Sequence, residues 1–71
     1  MKYLYIIEKA DDGSYSAYMP DLRGCTSCGD TVGELRINIR EAAVLHIECL
    51  RKPREAIPVP TSIIADWVEV E

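Results

Sequence analysis

Seventy-one residues with twelve acidic against eight basic side chains carry a formal charge of −4, which repels phosphate and makes a basic partner a better match than nucleic acid. A chain this short makes one domain, residues 1–71, and buries only about 60% of the surface its unfolded form exposes, so a metal, a disulfide or a partner subunit would each help it. No apolar run approaches the roughly 18 residues of a bilayer span, the three cysteines are an odd number, and the amino terminus runs straight into a strand pattern, so a cytoplasmic protein with no membrane contact is expected.

Residues 3–9, Tyr-Leu-Tyr-Ile-Ile-Glu-Lys, are aromatic or β-branched almost throughout, which predicts a strand covered on both faces at the centre of a sheet. Its mate is 15–19, Tyr-Ser-Ala-Tyr-Met, and Asp12-Gly13 between them signals a hairpin, because both residues tolerate positive φ. Pro20 ends the second strand, and a loop from Asp21 to Gly24 leads to a short third strand at about 24–28.

Thr31-Val-Gly-Glu34 has the spacing of a capping box, so a helix is expected from residue 32. On a wheel, Val32, Leu35, Ile39, Ala42, Ala43, His46, Cys49 and Leu50 gather into one arc of roughly 120°, the stripe that packs on the sheet. Pro53 stops the helix near residue 51, and 62–70, Ser-Ile-Ile-Ala-Asp-Trp-Val-Glu-Val, reads as a last strand. The expected fold is α+β in the order β-β-β-α-β, a small mixed sheet with one packed helix. Ile37, Val44 and Ile47 fall outside the core arc, on a flank that an isolated chain would leave wet, and are the candidates for a homo-oligomer contact.

Cys25 and Cys28, with His46 and Cys49, make a Cys-x-x-Cys and His-x-x-Cys set that has the inventory of a zinc site. Geometry favours packing instead, because residues three apart on a strand point to opposite sides. Cys25 and Cys49 then read as small buried hydrophobes and His46 as a core-edge ring. Redox chemistry is disfavoured, since the helix cap comes after Cys28 and its dipole does not act on the pair. A carboxylate cluster drawn from Glu8, Asp11, Asp12, Asp21, Asp30, Asp66 and Glu69 could hold magnesium for phosphodiester cleavage. No fixed spacing demands it, and Asp11 and Asp12 are ordinary turn residues. No glycine-rich phosphate loop is present, and no cofactor is expected.

The string Tyr18-Met-Pro-Asp-Leu-Arg-Gly-Cys25 followed by Gly29-Asp-Thr31 and Asn38-Ile-Arg-Glu-Ala42 resembles the characteristic run of HicB-type antitoxins. The opening Ile6–Leu22 and the later Ala56-Ile-Pro-Val-Pro60 resemble the same family, so the likeness covers nearly the whole chain. It implies a partial ribonuclease H-like fold without catalytic carboxylates, and hence no enzymatic activity. It also implies a HicA-type toxin as partner, a small basic mRNA-cleaving ribonuclease with a catalytic histidine, inhibited by covering its active surface. Opposite charge would speed that encounter. Candidate toxin contacts are Asp11, Asp12 and Asp21 near the hairpin and loop, and Asp66, Glu69 and Glu71 at the carboxyl end.

Pro20, Asp21, Leu22, Gly24, Cys25, Gly29, Asp30, Thr31, Asn38, Ile39 and Ala42 match the family pattern and read as fold-determining positions. Arg23 stands where a proline is common, His46 where an aromatic ring is frequent, and Cys28 and Cys49 where other residues are usual. Many HicB proteins continue into a DNA-binding segment, whereas this sequence stops at Glu71. A short, binding-only form without direct DNA binding is therefore expected. The alternatives are a homo-oligomeric domain without a toxin partner and a divalent-metal, ribonuclease H-like nuclease.

Overall fold

The hairpin forms where Asp12-Gly13 predicts it. In the computed structural model, which describes residues 1–70, β1 (Ile6–Lys9) pairs antiparallel with β2 (Tyr15–Tyr18), Lys9 facing Tyr15. Gly13 takes a φ of 89°, and the Asp12 carboxylate accepts the Ser14 amide at 2.9 Å and the Ser14 hydroxyl at 2.6 Å. The aspartate closes the turn by replacing a backbone acceptor with its own oxygen.

Pro20 and Gly24 shape the next connection. The Leu22 amide donates to the Met19 carbonyl and the Cys25 amide to the Leu22 carbonyl, two successive tight turns with proline second in one and glycine third in the other. Gly24 has a φ of 79°, which a side-chain-bearing residue resists at that position. Their combined effect is to fold Leu22 inward, where it is fully buried. The chain then enters β3 (Thr26–Gly29), antiparallel to β2 with Cys28 opposite Ser16. Each strand follows the last by a short reversal, so the sheet is antiparallel throughout and not mixed.

The strand order is β1-β2-β3, which places β2 at the centre and corrects the expectation for β1. β1 is an edge strand and begins at Ile6, with residues 3–5 outside the ladder. Apolar content predicted burial on both faces, yet what pairs with a strand depends on the rest of the chain, and among the described residues nothing pairs with the outer edge of β1.

The helix α1 spans Val32–Arg51, as predicted. Thr31, extended at φ −129° and ψ 160°, accepts the Glu34 amide on its side-chain oxygen at 3.1 Å, satisfying one of the free amides of the first turn. Close approach of β3 to that turn requires Gly29: a Cβ built there would lie 2.8 Å from the Leu35 nitrogen and 3.1 Å from its Cα. The Asn38 side-chain Nδ2 donates to the Cys28 carbonyl at 2.9 Å, a second tie between helix and sheet. At the far end Arg54 adopts φ 56°, and the Arg54 and Glu55 amides donate to the Arg51 and Leu50 carbonyls, the bond pair of a Schellman close.

The core is Ala17, Met19, Leu22, Cys25, Leu35 and Ile39, flanked by partly buried Tyr3, Tyr5, Ile7, Tyr15, Ala42, Ala43 and Ile47. The helical arc therefore packs as expected at Leu35, Ile39, Ala42 and Ala43. Cys49 corrects it: the thiol is exposed. A 20-residue helix runs about 30 Å, against about 13 Å for a four-residue strand, so the helix outruns the sheet and its last turns have no sheet beneath them. Ile47 is the opposite correction, partly buried where a wet flank was expected. The amino-terminal segment reaches that flank, with Met1, Tyr3, Ala43 and Ile47 lining one groove.

The predicted fourth strand does not form. Residues 55–70 make no ladder, and Ile63, Ile64, Trp67, Val68 and Val70 are between 75% and 97% exposed. The start of this segment is nevertheless fastened: the Tyr3 hydroxyl donates to the Pro58 carbonyl, and the Asp21 carboxylate accepts from Thr61 and Ser62. Beyond that point it extends from the body as an arm. The radius of gyration, 13.6 Å, exceeds the roughly 11 Å of a compact chain of this length for that reason.

Candidate partner-binding surface

The acidic candidates fall into separate places. Asp11 and Asp12 are exposed in the β1–β2 turn, where the hydroxyl and then the amide of Ser14 hold the Asp12 carboxyl below its ordinary value. Asp66 and Glu69 are exposed on the arm, and the Asp66 carboxylate accepts the Trp67 amide at 2.8 Å. Glu71 lies outside the described residues.

Asp21 has a different position from the one expected of a free contact. It sits in the β2–β3 loop and gathers the Thr61 amide at 3.0 Å, the Thr61 hydroxyl at 2.8 Å and the Ser62 amide at 2.8 Å. The Ser62 amide, followed by the Thr61 hydroxyl, pulls its carboxyl below the usual carboxylate value, because hydrogen bonds to the charged form favour it. Asp21 thus fixes the root from which the arm departs. The sequence offers a hint after the fact in Thr61-Ser62, two small hydroxyl residues following proline, but nothing local pairs them with residue 21.

Among the apolar candidates, Ile37 and Val44 are 62% and 51% exposed, and Leu45, not singled out by the sequence reading, is 61% exposed. With Arg40, Glu41 and Glu48 these three line a shallow groove along the helix. Leu45 was legible as the residue eight places after Ile37, on the same helical row. Ile47, the third candidate, is partly buried and packs against the core. The apolar arm was also missed as surface, because an alternating β-branched run reads as a buried strand.

The cysteines and histidine do not converge. Cys25 is buried in the core and its thiol is pushed up by burial, while Cys28, on β3, and Cys49, late in the helix, are exposed. Among the described residues no group of three or more His, Cys, Asp or Glu side chains could hold a metal ion. Neither the cysteine–histidine set nor the carboxylate cluster considered above is therefore assembled by this fold. No helix among these residues is long and apolar enough to cross a membrane.

A three-stranded antiparallel sheet with one helix on one face, with an apolar helix flank and an acidic apolar arm left exposed, defines a small α+β domain. A family model described as HicB_like antitoxin of bacterial toxin-antitoxin system matches residues 3–70, and the chain belongs to that family. It is 48% identical over 58 residues to a UPF0150 protein of Thermoplasma acidophilum, covering 82% of this chain and 84% of that one. It is 42% identical over 62 residues to a UPF0150 protein of Synechocystis, covering 87% and 78%. A solved chain from a HicA3 and HicB3 toxin-antitoxin complex superposes with a TM-score of 0.68 at 31% identity, covering 82% of this chain. This chain spans 66% of that one.

Proposed function

We propose that the protein is a non-catalytic antitoxin that binds a HicA-type, mRNA-cleaving toxin and inhibits it by covering its active surface. The observation that carries this reading is the match to a chain solved in a HicA–HicB complex, on a family match spanning residues 3–70. The net charge of −4 supports a small basic ribonuclease as the partner, since opposite charge speeds encounter while apolar contacts set the lifetime of the complex. Asp11, Asp66 and Glu69 are exposed and are the contacts we favour; Asp12 and Asp21 already hold turn and arm. The setting is cytoplasmic, where such a toxin would meet mRNA.

A nuclease reading draws no support, because the described carboxylates form no metal-holding cluster. The homo-oligomer reading is favoured by the exposure of Ile37, Val44 and Leu45, and it is compatible with toxin binding. The test is to mix the protein with the basic, single-histidine chain encoded beside it, when one is present, and to follow RNA integrity and co-elution. Protected RNA and a stable complex are expected; cleavage at an undiminished rate with no association at micromolar concentration would reject the proposal.

A further inference from the structure

We propose that the groove between the amino-terminal segment and the first half of α1 binds a nucleoside monophosphate, with Arg36 and Arg40 on the phosphate and the rings of Tyr3 and Tyr5 against the base. Both arginines, both tyrosines and the buried Met19 line this groove, whose volume is about 440 Å³. Among the described residues no carboxylate lines it. A mostly apolar wall of that size with a few convergent charged groups has the make-up of a small-ligand site.

The two arginines stand four places apart on the helix, so their side chains are neighbours and repel. The positions three and four away, where a helix ordinarily supplies a compensating carboxylate, are Val32, Gly33, Ile37, Ile39, Ala43 and Val44. None is acidic. The glutamates of the helix, Glu34, Glu41 and Glu48, lie roughly 80° or more around it from the arginine pair, at about 100° per residue. Arg40 also borders the groove that Glu41 and Glu48 line, while Arg36 lies on the side away from them. An anion held between the guanidinium groups would relieve their repulsion and meet the planar, two-pronged donors that suit phosphate oxygens.

The charge of the whole chain limits the size of the ligand. At −4 the surface repels a polyphosphate, and further phosphates leaving the groove would enter the field of Glu41 and Glu48 within about one Debye length, roughly 8 Å in physiological salt. One phosphate is matched; an RNA strand is not. The aromatic half is set before any ligand arrives, because Tyr3 and Tyr5 pack partly buried against the core and the Tyr3 hydroxyl is held by the Pro58 carbonyl. Fixed rings lose little freedom when a base stacks on them.

The test is a nuclear magnetic resonance titration of the full chain alone with adenosine monophosphate, so its failure leaves the antitoxin reading standing. Saturable shifts are expected at the Tyr5 and Met19 amides and at the Arg36 and Arg40 side-chain Nε–H groups, with a Kd between about 10 μM and 1 mM. Arg36→Gln combined with Arg40→Gln, at exposed helical sites, exchanges one good helix former for another and should keep native circular dichroism. Binding should weaken at least about tenfold in that protein. Arg23→Gln with Lys52→Gln removes the same charge at exposed positions outside the groove and should change binding less than about twofold. Adenosine and inorganic phosphate, each supplying half of the ligand, should each bind at least about tenfold more weakly than the whole. The absence of saturable shifts by about 5 mM overturns the proposal, as does an equal loss in the Arg23→Gln, Lys52→Gln protein, which would make the effect one of net charge. Inorganic phosphate binding as tightly as the nucleotide overturns it by leaving the rings no part, and a ribo-oligonucleotide binding more tightly than the monophosphate overturns it by making the ligand an RNA strand.

Discussion

Asp21 and Ser62, 41 residues apart in sequence, meet through a 2.8 Å hydrogen bond from the Ser62 amide to the Asp21 carboxylate. The same carboxylate takes the amide and hydroxyl of Thr61. With the Tyr3 hydroxyl bonded to the Pro58 carbonyl just before it, this side chain in the β2–β3 loop fixes where the carboxyl-terminal segment leaves the body of the domain. Replacing Asp21 by Ala should leave the sheet and helix intact and free that root. Amide hydrogen exchange should then speed up at Thr61 and Ser62 toward unprotected rates, with β2 and α1 unchanged; protection retained at both amides would refute the assignment.

The clasp has a defined pH dependence. The Asp21 carboxyl is depressed in the folded chain, so its contribution is present above the unfolded value of about 3.9 and is lost as pH falls through the lower folded value. Exchange at Thr61 and Ser62, corrected for intrinsic rates, should hold constant from neutral pH to about 5 and rise in the acid range below about 3.9. Asp21→Asn should abolish that acid-dependent change.

Two glycines should respond with opposite signs. Gly29→Ala forces a methyl against the Leu35 backbone, 2.8 Å from its nitrogen, and backbone cannot rotate away as a side-chain tip can. A loss of about 1–3 kcal/mol is expected, as for an overpacked core. Gly33 lies in the helix with nothing within 4 Å of an added Cβ, so Gly33→Ala should gain about 0.5–1 kcal/mol through reduced unfolded-state freedom. Urea denaturation of the two variants beside the parent measures both.

The thiols should divide two to one. Cys28 and Cys49 are exposed, whereas Cys25 is 4% exposed and its thiol is raised by burial, which keeps it protonated as well as covered. A thiol reagent near pH 8 should titrate two groups at once and the third only with unfolding. Three equally fast groups would show that the core around Leu22 and Cys25 is open.

Arg54 is a non-glycine residue in the left-handed region, at φ 56°, a conformation that costs an ordinary residue roughly 1–2 kcal/mol. Arg54→Gly should relieve part of this, offset by glycine's greater freedom when unfolded, for a net gain of up to about 1 kcal/mol. Thermal melting checks it, and a lower Tm would contradict the Schellman close.

Local chemistry determined much of this protein before any folding was considered. Asp12-Gly13 placed a hairpin, Thr31 placed the helix start, and the spacing of Leu35, Ile39 and Ala42 placed the core face, because each is a relation between residues within a few positions of one another. The family was legible too, from ordered motifs along Tyr18–Ala42. Tertiary structure alone decided what those elements meet. Composition makes residues 62–70 extended, but a strand also needs a partner edge, and the Asp21 clasp fixes the root of an arm that pairs with none. The wheel gave Cys49 to the core, yet the helix is longer than the sheet under it. It gave Ile47 to solvent, yet the amino-terminal segment covers that flank. Periodicity specifies which side chains share a face, and only the packed chain specifies whether anything lies against it.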